Sequence, residues 1–109
     1  MTDHNEYINK KRAEFTKGTL SETDVEREPF AQFEYWLKQA IESEVPELQA
    51  ANLATSYDNK PSSRIVYLRR LSGNKFWFYG NYDSKKGKSL EQNPNAALNF
   101  FWPELQRQV

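Results

Sequence analysis

The residues best suited to chemistry in this sequence are cations gathered in one segment, residues 60–88. That segment holds eight Lys or Arg side chains against a single acid, whereas residues 1–59 hold six basic and twelve acidic side chains. The formal net charge of zero therefore conceals a basic region. Within it, the small and basic turn Ser84-Lys85-Lys86-Gly87 precedes a predicted helix, and the start of a helix is a favourable place for a phosphate group. A solvated charged surface is the structural alternative for such a run.

The residue types that are missing exclude several kinds of chemistry. The sequence has no Cys, which excludes disulfides, thiolate nucleophiles and Cys-based metal sites. Its one His, His4, lies in a polar N-terminal stretch, so His-dependent triads and multi-His metal sites are not expected. Neither a nucleotide-binding Gly fingerprint nor a phosphate-loop motif occurs. No hydrophobic run approaches the length of a membrane span and no signal peptide is evident, so we expect a cytoplasmic protein.

Two helices are predicted ahead of the basic region. Asp3 and Glu6 form a capping pattern for a helix that runs through Phe15, and we assign residues 1–28 to a helical arm and linker. A second helix, over residues 29–44, begins with Pro and ends before the next Pro. Its apolar face recurs at helical spacing and should cover one side of a sheet: Phe30, Phe33, Leu37, Ala40 and Ile41.

From residue 51 onward the apolar residues alternate with the period of β-strands. Turn residues at 58–61 and 72–74 separate predicted strands over 51–57, 63–71 and 75–82, and the alternation resumes over 96–102. Residues 29–109 are therefore predicted to form one mainly β domain with flanking helices, of the α+β class. A last strand over 105–109 breaks off in mid-pattern. We therefore expect the sequence to be a fragment in which Trp77, Phe100 and Trp102 are left partly uncovered.

Six runs of residues coincide in order and spacing with one protein family: Phe15-Thr16-Lys17-Gly18, Pro61-Ser62-Ser63-Arg64-Ile65-Val66, Phe78-Tyr79-Gly80-Asn81, Ser84-Lys85-Lys86-Gly87, Asn93-Pro94 and Leu105-Gln106-Arg107-Gln108-Val109. On these runs the chain resembles the N-terminal half of a pyridoxine/pyridoxamine 5'-phosphate oxidase. The resemblance implies an antiparallel split β-barrel and a homodimer with FMN at its interface. It also implies oxidation of pyridoxamine or pyridoxine 5'-phosphate to pyridoxal 5'-phosphate, with oxygen as the acceptor. In such enzymes the flavin carries the redox chemistry, so no catalytic side chain is expected in this chain.

The resemblance further implies which residues contact cofactor and substrate. Arg64, Lys85 and Lys86 would hold the FMN phosphate. Other FMN contacts would come from the strands that follow and from the end of the sequence: Ile65, Val66, Tyr67, Leu68, Arg69, Tyr79, Gly80 and Gln108. Substrate contacts would come from the N-terminal arm and one strand residue: Arg12, Glu14, Phe15 and Arg69. Arg69 and Phe15 stand where better-known members have Lys and Tyr, and Arg presents a planar fork in place of a compact ammonium.

Two other functions remain open at this stage. The first is a non-catalytic split-barrel module that binds FMN or another phosphorylated ligand, an interpretation that the differences at positions 69 and 15 favour. The second is nucleic-acid binding, which the basic segment and the sixteen aromatic residues suggest and the acidic N-terminal half opposes. We expect neither nucleic acid nor membrane as a partner. Because the family's second half is missing, we expect the 109-residue chain alone to associate, to hold FMN weakly or not at all, and to show no turnover.

Overall fold

The structure is a computed structural model, and it describes residues 3–11, 14, 16, 18–81 and 83–109. The first helix, α1, spans His4–Lys10, and the Asp3 carboxylate caps it by accepting a hydrogen bond from the Asn5 N–H at 3.2 Å. Asp3 therefore caps the helix as predicted, whereas the Glu6 carboxylate pairs with the Lys10 ammonium at 2.7 Å. The helix ends at Lys10 instead of continuing to residue 15. All of its side chains are exposed, so no packed face supports a longer helix. A short 3₁₀ turn, Glu22–Asp24, lies in the linker that follows.

The second helix, α2, spans Pro29–Glu42 and begins with Pro at its first position, as predicted. Phe33 and Ala40 are buried on its inner face, whereas Ile41 is 56% exposed. The predicted apolar face was therefore wrong at Ile41, because that residue is turned away from the stripe that contacts the sheet. The helix ends in a Schellman motif, in which Glu44 adopts a φ of 53° and the Val45 N–H bonds to the Ala40 carbonyl.

Four antiparallel strands form the main sheet, in the order β2, β1, β5, β6. Strand β1 spans Ala50–Tyr57 and pairs with β2, Lys60–Tyr67, and with β5, Ala97–Trp102. The two-residue turn between β1 and β2 consists of Asp58 and Asn59, whose φ angles of 48° and 62° identify a type I′ turn. The last strand, β6 (Arg107–Gln108), follows a 3₁₀ turn at Pro103–Leu105 and pairs with β5.

The chain changes sheets between two neighbouring residues. The Leu68 N–H bonds to the carbonyl of Gln49, the residue directly before β1 of the main sheet, whereas the Arg69 N–H bonds to the Trp77 carbonyl. The latter bond belongs to a second sheet, formed by β3 (Arg70–Ser72) and β4 (Lys75–Trp77) around a turn at Gly73 and Asn74. The predicted continuous strand over 63–71 is thus two strands in two sheets. The predicted strand over 75–82 ends early, at Trp77.

The third helix, α3, spans Lys85–Gln92 and packs against β1. Ser84 caps it, as predicted, by accepting a hydrogen bond from the Gly87 N–H at 3.2 Å. At its other end the Gln92 carboxamide accepts from the Asp58 N–H and donates to the Asp58 carboxylate, each at 2.8 Å. The β1–β2 turn therefore fastens the C-terminal end of α3. No helix within the described residues has the length and apolarity that crossing a membrane requires.

The core lies between α2 and the inner faces of both sheets. The Phe33 ring is 4.9 Å from Phe76 and 5.0 Å from Phe100, measured between centroids. Phe100 and Trp102 are only 2% and 1% exposed, so the expectation that they would be left partly uncovered is wrong. Helix α2 covers them, and the Trp102 indole N–H donates to the Leu48 carbonyl at 2.9 Å. Trp77 is 40% exposed, as expected.

Candidate functional site

Arg64 is held in place by neutral hydrogen-bond acceptors of the main sheet. Its guanidinium donates to the Thr55 hydroxyl at 2.7 Å, to the Leu53 carbonyl at 3.3 Å and to the Ser62 hydroxyl at 2.9 Å. Thr55 is itself buried. Three of the five N–H groups of the guanidinium are used by these contacts, which orient the side chain without neutralising its charge.

Three residues meet at the start of α3: the helix cap Ser84 and the predicted FMN contacts Gly80 and Lys86. The Lys86 ammonium lies 3.3 Å from the Ser84 hydroxyl, which also caps the helix. A Cβ placed on Gly80 would lie 2.5 Å from Lys86 Cε and 3.0 Å from Lys86 Nζ. The absence of a side chain at Gly80 therefore makes room for the Lys86 side chain. Lys86 is half-buried here, whereas Lys85 is exposed.

Beside this lysine lies a cavity of about 810 Å³ lined by Phe78, Tyr79, Gly80, Gly87, Leu90 and Glu91. Two of its lining residues, Tyr79 and Gly80, are predicted cofactor residues. The wall combines aromatic and aliphatic groups with backbone of the helix start, which is the usual composition of a small-molecule site. Tyr79 is 71% exposed, so its ring is free to contact a ligand face.

The remaining cofactor candidates on β2 alternate between the two faces of the main sheet. Val66 is buried and Leu68 packs against the core, so both side chains serve the fold. Ile65 and Tyr67 lie on the opposite face, 59% and 43% exposed. Strand β2 is an edge of the sheet formed by the described residues. Because ladder bonds alternate along an antiparallel pair, the peptide groups of Ile65 and Tyr67 point away from β1.

Gln108 shares the outer face of the main sheet with Ile65. Its carboxamide oxygen accepts a hydrogen bond from the Asn99 side chain at 3.4 Å, and Asn99 and Ile65 both pair with Asn52 of β1. The structure thus brings Ile65, Tyr67 and Gln108 to one face. It places Arg64, Val66 and Leu68 on the other face. Within one chain, the predicted cofactor residues do not line a single cavity.

Arg69 lies where the chain changes sheets, and its side chain is exposed. The next residue, Arg70, stacks on the Trp77 ring with its guanidinium carbon 5.6 Å from the centroid. Within the described residues the two ion pairs join Lys10 to Glu6 and Lys38 to Glu42, and the cations of residues 60–88 take part in neither. Their charge is therefore available to an anionic ligand.

The predicted substrate segment is described only in part. Arg12 and Phe15 lie outside the described residues, and Glu14 is exposed. The Glu14 carbonyl accepts a hydrogen bond from the Gln106 carboxamide at 3.2 Å. Sequence reasoning did not identify Gln106, because nothing local links it to a residue so far away in the chain.

Thr55 and Ser62 were also missed, although the sequence holds a signal for them. A two-residue turn at Asp58 and Asn59 fixes the register that sets Thr55 opposite Ser62. Ser62 stands two residues before Arg64 and so shares its face. Reading the turn type first would have placed both hydroxyls beside the Arg64 guanidinium. No group of His, Cys, Asp or Glu in the described parts of the chain is arranged to hold a metal ion.

Comparison with known proteins gives relatives for this arrangement. A family model described as Pyridoxamine 5'-phosphate oxidase matches residues 37–109. The pyridoxine/pyridoxamine 5'-phosphate oxidase of Actinobacillus succinogenes is 54% identical over 99 residues, which cover 90% of this chain and 47% of that protein. The protein of the same name from Chromobacterium violaceum is 52% identical over 99 residues, covering 90% of this chain and 46% of its own length. The chain therefore spans about half the length of these curated relatives.

A solved structure supports the fold. The crystal structure of PhzG from Burkholderia lata in complex with tetrahydrophenazine-1-carboxylic acid superposes with a TM-score of 0.76 at 27% identity, over 83% of this chain and 46% of the other. The antiparallel split-barrel class with flanking helices, expected from the sequence, is thereby confirmed. The family model covers more than half of the chain, including α3 and each of the strands β1 to β6 found among the described residues. On that match and the high identity to the curated relatives, the chain belongs to the pyridoxamine 5'-phosphate oxidase family.

Proposed function

We propose that this chain supplies the FMN-phosphate side of the active site of a cytoplasmic oxidase. The enzyme would convert pyridoxamine or pyridoxine 5'-phosphate to pyridoxal 5'-phosphate with oxygen as acceptor, as a homodimer that holds FMN at its interface. The observation that carries the proposal is Lys86, seated over Gly80 at the start of α3 in a chain of this family. About half of each curated relative has no counterpart in these 109 residues, so the activity is proposed for an enzyme that also contains that other part.

The residues present fit the phosphate of FMN. A phosphate monoester carries close to two negative charges at neutral pH, and Lys86, Lys85 and Arg64 offer three cations that no acid among the described residues neutralises. The helix start adds backbone N–H groups and the positive end of the helix dipole. Each charge-assisted hydrogen bond contributes about 1.5–3 kcal/mol, so two of them account for a large part of the affinity.

The other residues would orient the ring system and keep water from one side of it. Tyr79 and Phe78 border the cavity beside Lys86, and the free edge of β2 offers the peptide groups of Ile65 and Tyr67 as donors and acceptors. Gln108 offers a carboxamide on the same outer face. When bound, FMN would accept the hydride from the substrate carbon, and the protein would provide binding and orientation.

The test compares FMN with riboflavin, which lacks the phosphate. We expect Arg64→Ala and Lys86→Ala each to weaken FMN binding by roughly 10- to 100-fold, with little effect on riboflavin. Lys88→Ala is the matched control, because Lys88 lies on the same helix but is exposed and is not assigned to the site. Titration of flavin fluorescence measures both ligands. Equal losses of FMN and riboflavin would assign the two side chains to folding and contradict the phosphate site.

Turnover distinguishes the oxidase from the non-catalytic module that the sequence left open, which the Arg at position 69 favours. FMN-loaded protein is incubated with pyridoxamine 5'-phosphate, and pyridoxal 5'-phosphate and oxygen consumption are followed together. We expect both signals from the protein that includes the second half. Tight FMN binding without either signal would establish the non-catalytic module instead.

A further inference from the structure

The carboxamide of Gln106 holds two backbone groups of the N-terminal segment at once. Its oxygen accepts a hydrogen bond from the Thr16 N–H at 2.9 Å, and its nitrogen donates to the Glu14 carbonyl at 3.2 Å. The Gln106 side-chain amide thus hydrogen-bonds an N–H and a carbonyl two residues apart. A backbone amide of a neighbouring β-strand uses the same pattern of one accepted and one donated bond. These bonds cross 90 residues of sequence or more.

The backbone at Gln106 is held by hydrogen bonds of a turn and of the strand that follows it. It ends the 3₁₀ turn Pro103–Leu105 with φ and ψ of 51° and 46°, and its N–H bonds to the Pro103 carbonyl at 3.0 Å. Arg107 and Gln108 follow at once in β6 and pair with β5. The strand pairing therefore fixes the backbone from which the carboxamide projects.

Residues 18–20 lie beside the end of the sheet, next to the predicted flavin contact Gln108. A gap of about 260 Å³ separates residues 18–20 from Trp36 and residues 105–108. The Arg107 guanidinium stacks 4.9 Å from the Trp36 ring centroid and donates to the Gln39 carboxamide at 2.7 Å. Burial lowers the pKa of Arg107 from its usual value, with the charge of Tyr35 acting in the opposite direction. The volume is below that of ordinary ligand pockets. The gap is therefore the boundary between residues 18–20 and the sheet, and not a ligand site.

We propose that Gln106 is a positioning residue that fastens Glu14 and Thr16 to the sheet edge beside Gln108. The fastening holds the N-terminal segment next to the flavin site, and substrate contacts are assigned to that segment. This link to the substrate rests on the proposed function. The fastening does not rest on it, because it follows from the two hydrogen bonds alone.

Hydrogen exchange of the full chain, followed by mass spectrometry, tests the fastening. Gln106→Ala removes both bonds, and we expect the Thr16 amide to exchange about two- to tenfold faster. Gln106→Asn is the second variant, because Asn tolerates the left-handed backbone but is one methylene too short to reach both groups. Gln49→Ala is the matched control, since Gln49 is exposed and its side chain has no hydrogen bond within the described residues.

The exchange of β5 amides shows whether each variant is folded. Faster exchange confined to the segment in Gln106→Asn, with β5 unchanged, supports the fastening. Unchanged exchange at Thr16 in a folded Gln106 variant overturns it, as does an equal effect of Gln49→Ala.

A second readout addresses the substrate. In the FMN-loaded enzyme, Gln106→Asn should raise KM for pyridoxamine 5'-phosphate about tenfold, while kcat and flavin content stay within about twofold of the parent. A loosened segment with an unchanged KM would overturn the link to substrate and leave the fastening standing. Absence of flavin or turnover in the parent protein would overturn the proposed function and the substrate link with it, while exchange would still decide the fastening.

Discussion

Two glycines show how single residues in this chain serve different purposes. Gly73 adopts a φ of 61° in the β3–β4 turn, and a Cβ built there meets nothing within 4 Å. Gly80 lies outside the left-handed region, and a Cβ built there meets the end of the Lys86 side chain. The first glycine is favoured by its backbone conformation, and the second by the position of a neighbouring cation.

We therefore expect the two alanine substitutions to change different properties: Gly80→Ala the affinity for FMN, and Gly73→Ala the free energy of unfolding. Gly80→Ala should push the flexible end of Lys86 aside, which weakens FMN by about tenfold while the free energy of unfolding changes by less than about 1 kcal/mol. Gly73→Ala should lower the free energy of unfolding by about 1–2 kcal/mol through the left-handed backbone and leave FMN affinity unchanged. Flavin titration and thermal unfolding of both variants measure this. A Gly80→Ala protein that binds FMN normally would show that the position of Lys86 is not needed.

At the scale of elements, the C-terminal end of α2 carries a residue that its conformation does not favour. Glu44 occupies the left-handed position of the Schellman motif, where Gly is usual. Glu44→Gly should therefore raise the free energy of unfolding by about 1 kcal/mol, and the melting temperature by about 4–8 °C. Glu42→Gly, two residues earlier within the helix, should instead cost about 1 kcal/mol. Calorimetry of both proteins measures whether the free energy of unfolding rises in Glu44→Gly and falls in Glu42→Gly. A decrease in both variants would contradict the Schellman motif.

Sequence patterns located the elements that depend on local chemistry. Pro29 and Ser84 act on their immediate neighbours, and each was found in its predicted place. The turn predicted over 58–61 is shorter than expected, because only Asp58 and Asn59 form it and Lys60 and Pro61 already pair with β1. The change of sheet after Leu68 was not predicted, because alternation along a strand does not say which strand lies beside it. The candidate site divides in the same way. The Ser84 cap follows from a motif, whereas the Gln106 contact depends on a fold that joins distant residues.

At the scale of the whole molecule, the outer face of the main sheet exposes large apolar groups. Ile65, Tyr67 and Phe101 are 59%, 43% and 62% exposed on strands whose other face forms the core. Large exposed apolar side chains on one face of a sheet are typical of an interface, and here they share the face with the amides of Asn99 and Gln108. The homodimer that the family resemblance implies would bury it.

Charge placed on that face should therefore prevent association. We expect Ile65→Lys to shift the protein from dimer toward monomer in sedimentation equilibrium, with at least tenfold weaker self-association. Ile41→Lys is the matched control, because Ile41 is 56% exposed but lies on α2, away from this face. Dissociation by Ile41→Lys, or a dimer unaffected by Ile65→Lys, would place the interface elsewhere.

The two-residue turn between β1 and β2 has a consequence for how this chain can vary. Surface turns ordinarily accept insertions with little penalty, because a longer loop adds only a small entropic term. Here one added residue that shifted the pairing by one position would exchange the faces of β2, turning Arg64 outward and Ile65 toward the core. The register of this hairpin thus determines both the packing of the core and the position of Arg64. A change of turn length that shifts the pairing by one position should therefore cost folding and ligand binding together, whereas an added residue that loops out and keeps the register should cost little.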